Sequence, residues 1–149
     1  MALRRTFWII MIIKFLNWFI DYWVMLNYVF YKFYARRESD PHVRGLIYAP
    51  GWVWFNYLTI VNILYLIGIP LLLTFLNHKI ICFVLPYFVL FCFNFVFLYH
   101  RKKWKEIFSI IDKKRDTEEV KRKYRNTVIY IWVSIALLLI PALIFGKWL

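Results

Sequence analysis

Polar residues recur at helical spacing inside the first long apolar stretch of the chain, and their chemistry stands out from its surroundings. They are Lys14, Asn17, Asp21, Tyr28, Lys32 and Arg36. At about 100° per residue, these positions fall on one face of an α-helix. Ionisable groups within an apolar segment usually face a bundle interior, a cavity or a pore. We call this face the polar stripe, and it predicts a functional or assembly role for the first helix.

The spacing along the stripe restricts how its charges can be neutralised. Lys14 and Asp21 are separated by about two helical turns, or ~10.5 Å, so they cannot pair with each other within one helix. The lysine of one copy could meet the aspartate of another copy, or rings of both could line a path for ions. The alternative is that Lys14, Asn17, Asp21 and Tyr28 hold helices together within one chain or reach the membrane interface.

Asparagines in the other apolar segments point the same way. Asn56, Asn62 and Asn94 resemble Asn17 and Asn27 in being single amides among large apolar side chains. Amide side chains hydrogen-bond between helices in a membrane, and such bonds contribute about 0.6 to 2 kcal/mol each. The sequence therefore predicts polar contacts between helices at these positions, with a hydrated conduit as the other interpretation.

A strongly basic interval lies between positions 101 and 125 and holds eleven of the twenty Lys and Arg residues. The candidates for contact with an anionic ligand or a lipid head group are Arg101, Lys102, Lys103, Lys121, Arg122 and Lys123. Lys and Arg near membrane segments resist translocation, so the interval is expected in the cytoplasm. It has no Gly-rich phosphate loop. We expect these charges to be solvated residues that set the topology and attract anionic lipid head groups. The alternative is a cytoplasmic protein or an anionic ligand as a partner, and nucleic acid is not expected.

Catalytic and metal-binding patterns are missing from the sequence. The three histidines, His42, His78 and His100, have no carboxylate or cysteine at the spacing of metal ligands. Cys82 and Cys92 are about 15 Å apart if the segment is helical, too far for a disulfide. No sequence motif of a hydrolase or metalloprotease occurs. We expect no enzyme activity, no metal and no cofactor.

Composition predicts the elements that position these residues. Of the 149 residues, 63% are hydrophobic and 23% are aromatic, whereas soluble domains have about 45–50% apolar residues. This predicts an all-α integral membrane protein in the cell membrane, forming a single transmembrane domain within the lipid bilayer. Four hydrophobic helices are expected, with the basic cytoplasmic loop between the third and the fourth. Their approximate ranges are 7–33, 52–76, 80–99 and 128–145.

The connections carry their own signals. Residues 36–51 are expected to be a connection, because Pro41, Gly45, Pro50 and Gly51 disfavour a helix. In the basic interval, apolar residues recur at i, i+3, i+4 and i+7, which predicts a short amphipathic helix lying on the bilayer surface. These residues are Trp104, Ile107, Phe108 and Ile111. From about Thr117 a long helix is expected to enter the membrane without a break.

Charge allows two arrangements in the membrane. With four spans, fifteen Lys and Arg residues lie on one side and four on the other, so both charged loops are cytoplasmic and both ends are outside. With three spans, the first helix lies flat as an amphipathic helix on the inner leaflet. Both arrangements make the protein multi-pass and keep the basic interval in the cytoplasm.

These features together lead to a functional hypothesis. A single copy with three or four spans is too small to enclose a pore, yet its first helix carries a polar stripe. We therefore expect a small homo-oligomer that forms or gates an ion-conducting pore. Membrane effectors of bacterial antiviral defence have a similar architecture, and this analogy rests on architecture alone. The alternative is a non-conducting accessory or scaffold subunit that docks a partner through the basic interval.

Overall fold

Helices account for the secondary structure of the described residues, which form no strand, so the prediction of an all-helical chain is confirmed. The computed structural model describes residues 2–35, 37, 39–66 and 80–145. The helices are α1 (Ala2–Tyr34), α2 (Pro41–Leu66), α3 (Leu85–Asn94), α4 (Lys103–Lys113) and α5 (Glu118–Phe145). Two π-helical turns, Ile80–Val84 and Phe95–Tyr99, flank α3. The end of the second predicted segment, 67–76, lies outside the described residues.

Helix α1 has two halves with opposite surroundings. No glycine or proline interrupts its 33 residues, so it runs unbroken for about 50 Å. Large apolar side chains between Trp8 and Trp18 are exposed, whereas Trp23 and Leu26 are completely buried. Among the described residues one helix, over Trp8–Tyr34, is long and apolar enough to cross a membrane by length and composition.

Helix α2 begins earlier than the sequence predicted. The expected connection over 36–51 is wrong from Pro41 onwards, because α2 starts at that proline and continues through Pro50. Pro41 suits a first helical position, where its fixed φ and missing N–H are harmless. Pro50 lies inside the helix, and its missing N–H leaves the carbonyl of Leu46 without its usual helical donor.

A buried amide on α3 supplies that donor. The Asn94 Nδ2 atom donates to the Leu46 carbonyl oxygen at 3.2 Å and to Asn27 Oδ1 at 2.9 Å. Its Oδ1 atom accepts a hydrogen bond from Trp23 Nε1 at 2.7 Å. Both asparagines are completely buried. These contacts, which we call the asparagine network, join α1, α2 and α3 and explain why a proline is tolerated within α2.

Gly45 permits the close approach of helices beside the asparagine network. The Tyr99 hydroxyl donates to Asn27 Oδ1 at 3.3 Å. A Cβ atom on Gly45 would overlap that hydroxyl oxygen and would lie 3.2 Å from the Asn27 carbonyl oxygen. A larger residue at position 45 would therefore force α1 and α2 apart or displace Tyr99.

Helix α4 folds back onto the second half of α1. The chain reverses at Arg101 and Lys102, which adopt left-handed φ values of 56° and 58°. Phe108 is 2% exposed and packs edge-on against Tyr28, with ring centroids 5.4 Å apart. The apolar face of α4 thus packs against α1, instead of the bilayer that the sequence predicted. The main apolar core lies here and contains Met25, Tyr28, Val29, Leu98, Tyr99 and Phe108.

Helix α5 completes the bundle and runs without a break from Glu118. Its Tyr130 ring packs edge-on against Tyr22 of α1 at a centroid distance of 5.2 Å. The Asn56 amide of α2 donates to the Tyr130 hydroxyl. Tyr130 thereby holds α5 against both α1 and α2.

The asparagine network makes the cost of losing Asn94 depend on Pro50. We expect Asn94→Ala to lower the free energy of unfolding by about 3 kcal/mol, because it leaves several buried groups without partners. In the Pro50→Ala background the cost should fall by about 1 kcal/mol, because an alanine at that position can donate its N–H to the Leu46 carbonyl. Denaturation of the detergent-solubilised protein measures both values. Asn56→Ala is the control and should cost the same in both backgrounds; an unchanged cost for Asn94→Ala would contradict the assignment.

The reversal before α4 makes a second prediction. Lys102→Gly should raise the free energy of unfolding by about 0.5–1 kcal/mol, because glycine adopts a left-handed conformation without a steric penalty. Lys105→Gly removes the same charge from the first turn of α4, where the backbone is right-handed, and should lower the free energy of unfolding by about 0.5–1 kcal/mol. Thermal unfolding in detergent compares the two variants. Destabilisation by both would show that the left-handed conformation carries no strain.

Candidate functional site

The structure divides the polar stripe of α1 into an unpaired part and a paired part. Lys14 and Asn17 are exposed on the first half of the helix. In the part of the chain that the structure describes, neither side chain makes a hydrogen bond or an ion pair. Asp21 and Tyr28, by contrast, contact α5 and α4. The side chain of Arg36 lies outside the described residues.

Asp21 is held by an ion pair with α5. The Lys123 Nζ atom lies 2.8 Å from Asp21 Oδ2 and 2.9 Å from Glu119 Oε1. Hydrogen bonds to these two carboxylates, that of Asp21 first, raise the pKa of Lys123. Lys123 was predicted to contact an anionic ligand, but in the structure its charge is shared between two carboxylates. The pair borders a cavity of about 470 Å³ whose walls include Trp18, Tyr22 and Tyr130.

Tyr28 and Lys32 meet at one carboxylate on α4. The Tyr28 hydroxyl donates to Asp112 Oδ1 at 2.6 Å, and Lys32 Nζ lies 2.7 Å from the same oxygen. Burial disfavours the ionised carboxyl, but the hydrogen bonds from Lys32 and Tyr28 outweigh it and lower the pKa of Asp112. This contact fixes α4 on α1. Sequence reasoning missed Asp112, although it lies four residues after Phe108, on the helical face that packs against α1.

The asparagines selected from the sequence have different environments. Asn94 is at the centre of the asparagine network, and Asn56 joins α2 to α5. Both make hydrogen bonds between helices, as amides in apolar segments were expected to do. The side chain of Asn62 lies outside the described residues.

The basic candidates lie on two separate elements. Arg101, Lys102 and Lys103 are exposed at the reversal before α4. Lys121 and Arg122 are exposed on the second turn of α5, where Lys121 Nζ lies 3.3 Å from Glu118 Oε1. The exposed residues of both elements remain accessible to a partner, whereas Lys123 is bound to Asp21.

Histidines take part in ring packing in the described region. His42 stacks on Trp104 with ring centroids 4.9 Å apart, and His100 packs edge-on against Phe95 at 6.4 Å. His78 lies outside the described residues. Within the described ranges, no group of three His, Cys, Asp or Glu side chains is placed to hold a metal ion.

Acid should weaken the contact between α4 and α1. The pKa of Asp112 is lower in the fold than the value of about 3.9 in an unfolded chain. The ionised carboxylate therefore stabilises the fold above that pH, and its contribution is lost as pH falls through the lowered pKa. At pH 7 we expect Asp112→Asn to cost about 1 kcal/mol of stability, since the group is partly exposed.

Unfolding of the wild type and of Asp112→Asn between pH 7 and pH 3 measures this effect. The difference between the two proteins should shrink as pH falls below about 4. Asp116→Asn, in the exposed turn before α5, removes the same charge and should change stability little at any pH. A pH-independent difference for Asp112→Asn would contradict the role of its charge.

Comparison with known proteins finds no relative of this chain. The chain has no significant match among protein-family models, curated proteins or solved structures. Its function is therefore inferred from its own residues.

Proposed function

We propose that this chain is a multi-pass membrane protein that assembles with copies of itself around a path for ions. The first half of α1 lines that path. The observation that carries the proposal is the position of Lys14 and Asn17 on a surface otherwise formed by exposed large apolar side chains. The described part of the chain offers neither residue a polar partner.

Membrane insertion is supported by the distribution of apolar and polar groups. Large apolar side chains are exposed along four helices, including Trp18 of α1, Ile60 of α2, Phe88 of α3 and Trp132 of α5. Polar side chains are buried between helices, including Asn27, Asn94, Thr127 and Ser134. Soluble monomers rarely expose apolar patches of this extent. In hydrocarbon, by contrast, apolar groups face lipid and polar groups need partners inside the protein.

The orientation follows from where the basic residues meet. Lys32 of α1 pairs with Asp112 of α4, and Arg37 and Arg115 line one cavity. The two charged connections thus lie at the same end of the bundle. Because Lys and Arg beside membrane segments remain in the cytoplasm, we assign this end to the cytoplasm.

Assembly of several copies would give the unpaired polar groups of α1 a polar environment. A lysine at the centre of a membrane helix costs about 2.5–3.5 kcal/mol unless water or a partner receives it. Water at the centre of a ring of copies would solvate Lys14 and Asn17. A ring of lysines favours anions over cations in a pore. The path that we propose is therefore anion-selective.

The same stripe gives the pore a connection to the cytoplasmic end. Asp21 lies two helical turns from Lys14 and is bound to Lys123 of α5. A signal received by the basic helices would reach the lining of the pore through this ion pair. The predicted role as a membrane effector in antiviral defence would use such a connection, and it remains a proposal from architecture.

A second candidate function rests on a different observation. Arg101, Lys102, Lys103 and Arg122 are exposed, and they could dock a cytoplasmic protein or an anionic ligand. The chain would then be a non-conducting accessory or scaffold subunit. Tight liposomes together with a stable complex with another protein would favour this alternative.

Reconstitution into liposomes tests the pore. We expect the purified protein to be a multimer in detergent and to make liposomes permeable to chloride more than to potassium. Lys14→Gln should lower the ratio of chloride to potassium permeability several-fold, because it removes the ring of positive charge. Reversal potentials in planar bilayers measure this ratio.

Lys105→Gln is the matched control, since it removes a lysine from the exposed face of α4. It should leave the permeability ratio unchanged. A monomeric protein in tight liposomes would refute the proposal, as would an equal effect of the two substitutions.

A further inference from the structure

A cleft with unpaired cations lies where the end of α1 meets the turn before α5. It has a volume of about 510 Å³. Its walls include Tyr28, Lys32, Phe33, Arg37, Arg115 and Tyr124. We call it the Arg37–Arg115 cleft. None of the six basic residues that the sequence predicted to contact an anionic ligand lines this cleft.

Two of the three cations in the cleft, Arg37 and Arg115, form no ion pair with the described residues. Lys32 pairs with Asp112 at 2.7 Å, so its charge is largely neutralised. The Arg37 guanidinium lies over the Phe33 ring, 5.1 Å from the centroid. In the described region, the guanidinium groups of Arg37 and Arg115 make no hydrogen bond or ion pair. The cleft therefore holds an excess of positive charge.

The nearby acidic residues do not cancel this excess. Glu118 and Glu119, in the first turn of α5, pair with Lys121 and Lys123. Neither glutamate lines the cleft. Asp112 is bound by Lys32 and Tyr28; the charge of Arg115 also helps to lower its pKa, but no ion pair joins the two side chains in the described region.

We propose that the Arg37–Arg115 cleft binds the phosphate group of a ligand whose remainder is apolar or aromatic. Guanidinium groups bind phosphate oxygens through paired, charge-assisted hydrogen bonds. Phe33, Val120 and Tyr124 provide an apolar wall for the rest of the ligand. The volume is that of a site for a small molecule.

Two sources of such a phosphate fit the position of the cleft. It lies at the basic end of the bundle, where the head groups of the inner leaflet would lie if the proposed orientation holds. A phospholipid head group and a soluble organic phosphate would make the same contacts with the two arginines. The phosphate site does not depend on whether the chain forms a pore, so each proposal can fail alone.

Binding to the purified protein in a neutral detergent tests the site. The lipid probe is dihexanoyl phosphatidic acid, the soluble probe is phenyl phosphate, and dihexanoyl phosphatidylcholine controls for the acyl chains. Arg37→Gln with Arg115→Gln should weaken binding of phosphatidic acid at least tenfold. Arg101→Gln with Arg122→Gln removes the same charge outside the cleft and should weaken it less than twofold. Titration calorimetry measures these affinities.

A conservative variant separates the site from general charge and from folding. Arg37→Lys with Arg115→Lys keeps both charges but loses the paired hydrogen bonds, so we expect an intermediate loss of several-fold. Binding of both probes would extend the site to soluble phosphates, and binding of phosphatidic acid alone would assign it to lipid. Equal losses in the two glutamine pairs, or no binding of either anionic probe, would overturn the proposal.

Discussion

The buried contact between Asn27 and Asn94 is the interaction on which the bundle depends. It places two amides at the junction of three helices, where each donor and acceptor that it uses has a partner within the chain. Buried polar groups that are fully paired favour one arrangement of the helices, because a displaced helix leaves several of them without partners. The Asn94 amide also donates to the Leu46 carbonyl that Pro50 leaves without a helical donor, and Gly45 leaves room for the Tyr99 hydroxyl that donates to Asn27.

Around this junction the usual placement of residue types is reversed. Amides and hydroxyls are buried between helices, while tryptophan, isoleucine and phenylalanine are exposed along their outer surfaces. The unfavourable contact of these side chains with water would be removed in hydrocarbon, where a paired interior and an apolar exterior are both stable. On the first half of α1, Lys14 and Asn17 interrupt this apolar exterior, and they are the reason to propose an assembly.

Local sequence features predicted the parts of the fold that depend on local chemistry. Helix α1 lacks breakers, and α5 lacks a break where its polar start meets its apolar end, so both lengths could be expected. The start of α2 could not, because the group that compensates for Pro50 is an amide 44 residues later in the chain. The amphipathic character of α4 was evident from its spacing. Its packing partner, α1, was not, since an apolar face does not specify what covers it.

In the candidate site, too, the sequence predicted local features but not contacts between distant residues. Periodicity placed Lys14, Asn17, Asp21 and Tyr28 on one face, but it could not show that the last two are paired with residues of α5 and α4. The Arg37–Arg115 cleft escaped notice because its arginines are far apart in sequence and neither belongs to a periodic pattern. Proximity created by folding, rather than residue type, defines both features.

Two of the polar contacts that hold α1 differ in how they respond to dissolved ions. Asp21 and Lys123 retain 59% and 37% of their side-chain exposure, so mobile ions reach their pair and weaken its attraction as ionic strength rises. The amides of Asn27 and Asn94 are neutral and fully enclosed, so screening leaves them unaffected. Concentrated electrolyte is therefore expected to weaken the ion pair between α1 and α5, while the three-helix junction keeps its geometry.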